Sequence, residues 1–131
     1  MTSYQETLGE LESICEKILE INPRIRFTGM ISDKGKLLAG GKKNGIKLHV
    51  NEKDHEMLFM GLALKGRMRR DFDEQLGPVD YTVSQRAKCV IMGFPFGENT
   101  LYVSGEKDLD LTKVVSKILE IIRGTETKFV N

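Results

Sequence analysis

The sequence predicts a fold of the α/β class, of the α+β kind, in which one antiparallel sheet lies between layers of helix. Hydrophobic periodicity along the 131 residues runs helix, strand, strand, long helix, strand, strand, strand, helix. The segments between successive strands are short turns, which favours antiparallel pairing over crossovers. The middle strand of the last three is apolar on both sides: Cys89, Ile91 and Gly93 point one way, Val90, Met92 and Phe94 the other. A strand of that kind needs cover above and below. Helices are therefore expected on both faces, in a three-layer α/β/α arrangement.

Each element has its own signal. The first helix is expected from Tyr4 to Ile21, opened by a Ser3-x-x-Glu6 capping box and striped by Leu8, Leu11, Cys15 and Ile18. Asn22-Pro23 stops it, because the residue before proline leaves helical geometry. A hairpin follows. Arg24 to Ile31 alternates, with Ile25, Phe27 and Ile31 on one face; Ser32-Asp33-Lys34-Gly35 has turn chemistry, and Lys36 to Ala39 returns. Gly40-Gly41 weakens that ladder, as at an edge or bulge. After a loop, Asn51 or Asp54 caps a long helix placed from Glu52 to Leu76, with Met57, Met60, Leu64, Met68 and Phe72 as its core stripe. Gly77-Pro78 ends it. Strands are expected over Val79 to Gln85, Lys88 to Phe94 and Thr100 to Gly105. The closing helix runs from Asp110, a candidate N-cap, to Arg123, with Gly124 at the C′ position. Residues 1–124 thus form a single domain and 125–131 a loose C-terminal tail.

Bulk composition excludes several classes. With 40% hydrophobic and 30% charged residues, the chain has a core and is not disordered. A net charge of +1 rules out a globally basic nucleic-acid binder. No run approaches the roughly 18 apolar residues of a membrane span, and the N-terminus lacks a basic, apolar leader pattern. A cytoplasmic location is expected. Cys15 and Cys89 sit in apolar stretches and read as free thiols in a reducing compartment.

The long helix has a second apolar side. From Met57 to Leu64 no residue is polar, and on a helical wheel Phe59, Ala63 and Gly66 fall away from the methionine stripe. Gly61 and Gly66 each cost about 1 kcal/mol against alanine. Burying Phe59 against a partner returns roughly 1.5–3 kcal/mol. A homodimer face is expected there.

Charged clusters are weaker signals. Lys34, Lys36, Lys42, Lys43 and Lys47 form a basic stretch, usually a solvated face but here a candidate anion or partner patch. Gly40 to Gly45 lacks the lysine and hydroxyl of a phosphate loop. Asp54-His55-Glu56 cannot converge, since successive helical residues diverge by about 100°. With two histidines in the chain, neither a metal site nor a catalytic group is expected, and no cofactor.

The element order resembles the roadblock (dynein light chain) fold, a relative of the profilin and longin folds. Ile14 to Leu19 and Asp71 to Val79 are also similar to short archaeal proteins without assigned function. The roadblock resemblance implies a five-stranded antiparallel sheet in the order 2-1-5-4-3, a roadblock/profilin-like architecture. It also implies dimerisation through the long helix and the strand after it, adding Arg70, Val79, Tyr81 and Val83 to the expected interface. The function it implies is a non-catalytic interaction platform, a regulator or scaffold for a small GTPase or another regulatory protein. PAS- and GAF-type sensory domains share the antiparallel strand order, so a small-molecule sensor is the alternative. It would need an apolar cavity between sheet and long helix, where the sequence places helices on both faces.

Overall fold

The computed structural model describes the backbone of residues 4–129 and the side chains of residues 7–125. The Ser3–Glu6 capping box lies outside the described residues. The elements are α1 (Tyr4–Leu19), β1 (Ile25–Ile31), β2 (Leu37–Lys42), α2 (Glu52–Arg70), α3 (Asp73–Leu76), β3 (Thr82–Gln85), β4 (Cys89–Phe96), β5 (Asn99–Glu106) and α4 (Leu111–Phe129). All five strands form one antiparallel sheet in the order β2-β1-β5-β4-β3. The expected architecture and strand order are both present.

Alternation along the strands separates two cores. On one face Met30, Val90, Met92, Phe94, Leu101 and Val103 pack beneath α1 and α4, which contribute Ile14, Ile18, Val114 and Ile118. On the other, Phe27, Ile31 and Tyr102 meet Phe59 of α2. Ile25 belongs to the first face, not to that of Phe27 as the alternation predicted. A register shift between Ile25 and Phe27 in the pairing with β5 turns it over. Within the first core the buried Thr28 hydroxyl donates to the Cys15 carbonyl at 2.8 Å, tying α1 to β1.

Two glycines set close approaches. Gly40, at φ 97°, lies where an added Cβ would stand 2.1 Å from the Thr28 carbonyl oxygen. So Gly40-Gly41 does not end the hairpin. It pairs with Gly29 and Thr28, and β2 extends to Lys42. Gly35, at φ 82° in the β1–β2 turn, sits against the backbone of α2, with Met60 Cα 2.7 Å from the ideal Cβ position.

Several boundaries differ from expectation. The Asn51 side chain caps α2, accepting from the Asp54 N–H at 2.8 Å. That helix ends at Arg70 and not at Leu76, because the Asp71 N–H turns back to the Met68 carbonyl and Phe72 takes φ −107°, ψ 5°. The separate turn α3 then closes on Gly77 at φ 81°. Residues 79–81 stay outside the ladder and β3 has only four residues. By contrast β4 and β5 run longer than predicted, pairing Phe96 with Asn99 across a two-residue Gly97-Glu98 turn. Gly97 at φ 61° fits the first position of a type II′ hairpin. Finally, α4 continues through Gly124 to Phe129, with the Thr125 hydroxyl bonded to the Ile121 carbonyl at 2.8 Å. The expected tail is helical to that point.

Candidate functional site

The α2 helix carries two apolar faces, and the sheet takes the opposite one from that predicted. Phe59 is 3% exposed and Ala63 5%, both packed inward, whereas Met57, Met60, Leu64 and Met68 are 67, 60, 53 and 59% exposed. Phe72 is exposed beyond the helix end. Shape explains the choice. The inward face presents flat rings that interlock with the sheet: His55 stacks on Phe59 at 4.7 Å, and Phe27 lies 4.8 Å from His55. Tyr102 meets Phe59 edge-on at 5.3 Å. His55 is the residue that sequence reasoning missed, because imidazole counts as polar although its ring packs like a small aromatic. Burial pulls its pKa down and raises that of the Tyr102 hydroxyl to about 12.

Phe59 and Ala63 therefore cannot form a dimer face; they are interior to one subunit. The other expected interface residues divide between two surfaces. Gly66, Arg70 and Val79 share a cleft beside the C-terminal half of α2, where the Arg70 guanidinium reaches the Glu98 carbonyl at 3.4 Å. Tyr81 lies over Phe94 at 6.0 Å and Val83 pairs with Met92, which places both on the α1/α4 side of the sheet.

The outward seam is nonetheless continuous. Met57, Leu64 and Met68 recur at helical spacing, Met60 flanks them, and Gly61 lies between. An ideal Cβ on Gly61 meets no atom of the described residues within 4 Å, so no contact among them calls for glycine there. Beside the helix, β3 pairs on one side only, with β4.

The basic stretch is not one patch. Lys34 and Lys36 flank the β1–β2 turn, while Lys42, Lys43 and Lys47 lie at the far end of β2, about 20 Å away at 3.3 Å per residue. Two of the latter are engaged, Lys42 with the Ile46 carbonyl at 2.8 Å and Lys43 with that of Asn22 at 3.1 Å. Partial burial lowers the Lys43 pKa. Burial likewise pushes the Cys15 thiol up to about 12, where it is an inert packing group. Both cysteines are free. Among the described residues no group of three or more His, Cys, Asp or Glu is placed to hold a metal ion, and no helix is long and apolar enough to cross a membrane.

One expectation about cover fails. The Cys89–Ile91 side of β4 is not closed by α2, which sits over β1 and β5. A partly open cavity of about 400 Å³ remains there, walled by α2, the sheet and residues 48–50.

Sheet order and helix placement together define a roadblock-like, profilin-like domain. The chain superposes on MglB of Myxococcus xanthus with a TM-score of 0.76 at 13% identity, covering 98% of this chain and 94% of that one. It superposes on a Roadblock/LC7 domain from Streptomyces avermitilis at 0.69 with 10% identity, covering 92% and 98%. For a profilin of Schizosaccharomyces pombe the values are 0.59 and 13%, with 88% and 98% covered. By sequence the chain belongs to the family of unknown function DUF6659, whose profile matches residues 5–130. No curated protein matches it by sequence.

Proposed function

We infer that the protein is a non-catalytic interaction platform of the roadblock type, cytoplasmic, homodimeric, and a regulator or scaffold for a small GTPase or a related regulatory protein. The observation that carries this is the outward seam of Met57, Met60, Leu64 and Met68 on α2. It replaces the inward face first expected to mediate association. Each such side chain contributes about 1.5–3 kcal/mol when buried. A twofold contact buries the seam of both copies at once, against roughly 4–15 kcal/mol lost on association. Gly61 in the middle of the seam lets two helix backbones approach closely. The open edge of β3, across the cleft from the C-terminal half of α2, offers main-chain groups to a partner as well.

Leu64→Glu is expected to give a folded monomer, read as a halved mass by light scattering with an unchanged far-UV spectrum. A wild-type chain that is monomeric at high micromolar concentration would remove the dimer from this reading. The GTPase role is tested by titrating purified small GTPases in GDP- and GTP-bound forms. Binding that depends on the nucleotide supports a regulator, and absence of binding across the panel leaves only the platform.

A further inference from the structure

The geometry points to a second binding site, for an amphipathic carboxylate, in the cavity between the N-terminal half of α2 and the open end of the sheet. This site lies on the flank of α2 toward β4 and does not depend on the dimer.

Its body is apolar. Ile91 of β4 forms the floor, Leu48 and Val50 one wall, and Leu58 of α2 the other. Leu48, Val50 and Ile91 are half-buried and Leu58 is exposed. The volume of about 400 Å³ falls in the lower part of the range that small-molecule sites occupy, roughly 300–1,000 Å³. An alkyl chain or a single aromatic system fits such a space better than a nucleotide does.

Its mouth is cationic. Arg86 and Lys88, on the β3–β4 turn, line the opening, and among the described residues no Asp or Glu lines the cavity. Neither side chain forms an ion pair among the described residues. Arg26 also borders the site, but its charge is already matched by Glu106 at 2.7 Å, and its guanidinium also donates to the Lys47 carbonyl. The unmatched positive charge thus sits at the rim and the apolar surface lies within. An anion at one end of an apolar body answers both, because a carboxylate accepts charge-assisted hydrogen bonds from Arg86 while its tail stays dry. His55 borders the cavity uncharged near neutral pH, since burial lowers its pKa. It adds a polar group without a second charge.

Calorimetric titration with decanoate, and with decanol as the uncharged counterpart, tests the assignment on the full chain. One decanoate per chain is expected, bound roughly tenfold more tightly than decanol. Arg86→Glu/Lys88→Glu should erase that preference, while Lys34→Glu/Lys36→Glu, with the same change in net charge at the opposite end of β1, should keep it. Ile91→Trp fills the cavity and should abolish binding of both. Thermal melting of each variant establishes that it is folded, and amide shifts at Cys89 and Ile91 in the wild type report occupancy where Ile91→Trp fails to fold. Absence of saturable decanoate binding would overturn the proposal. So would equal affinity for decanol, full affinity in a folded Ile91→Trp protein, or decanoate shifts that spare Cys89 and Ile91.

Discussion

The two faces of the sheet have been finished differently. Beneath α1 and α4 the core is largely aliphatic and continuous, with Ile18, Met30, Phe94, Leu101 and Ile118 without measurable exposure. Beneath α2 it is a small aromatic cluster of Phe27, His55, Phe59 and Tyr102, and clefts lie beside both halves of the helix. The first face holds the fold together. The second holds one helix against the sheet at a few points and leaves the rest of that surface available. Exposed apolar surface is concentrated on the second face, on the outward side of α2 and the floor of the cavity.

This contrast makes a ranked set of expectations. Phe94→Ala, in the continuous face, should lower unfolding free energy by about 4 kcal/mol, since the ring is fully buried. Phe59→Ala should remove less, about 3 kcal/mol, because side chains next to a cavity have room to close up. Urea denaturation measures both, and equal losses would mean that the α2 face is as tightly packed as the other.

A smaller effect separates the faces by pH. Burial depresses the pKa of His55 below its ordinary 6.5. The unfolded chain takes up that proton as pH falls through about 6.5, whereas the folded chain takes it up only at lower pH. Stability is therefore fully present above that point and declines below it. Comparing urea midpoints at pH of about 7.5 and 5.5 for the wild type and His55→Phe should show a flatter dependence in the variant. Parallel curves would place the proton-linked loss elsewhere.

The smallest effect concerns Gly61 and Gly124, two of the helical glycines that have no neighbour among the described residues. In a Leu64→Glu monomer, alanine at either position should add about 0.5–1 kcal/mol. In the wild-type background the gain at Gly124 should persist, while Gly61→Ala should weaken the dimer on dilution. A wild-type dimer unaffected by Gly61→Ala would mean that the helices do not meet at that residue.

Most of the fold was legible in the sequence because its punctuation is local. Pro23, the Ser32–Gly35 turn and the two-sided apolar pattern of Cys89–Phe94 each act within a few residues. What escaped depends on shape. Hydropathy favours Met57, Met60, Leu64, Met68 and Phe72 as the core stripe of the long helix, but the sheet surface around Phe27 and Tyr102 accepts rings and small residues. The end of α2 at Arg70 falls in a charged run with neither glycine nor proline to mark it. At Gly124 a permissive residue has the look of a stop, although a glycine ends a helix only where the chain turns. The cavity was hidden for a different reason. It joins Leu48, Leu58, Arg86 and Ile91, and no periodicity links residues from a loop, a helix and a hairpin.

The contact between Gly35 and the Met60 backbone has a bearing on how the family can vary. It indexes α2 along the sheet from the back, at a turn remote from the segment that leads into the helix. The exposed stretch around Asn44 and Gly45 is thereby released from setting the helix's position and can lengthen or shorten without sliding it, as exposed connections tolerate. Variation in that segment would reshape the cavity entrance while the ring stack behind it keeps its registration.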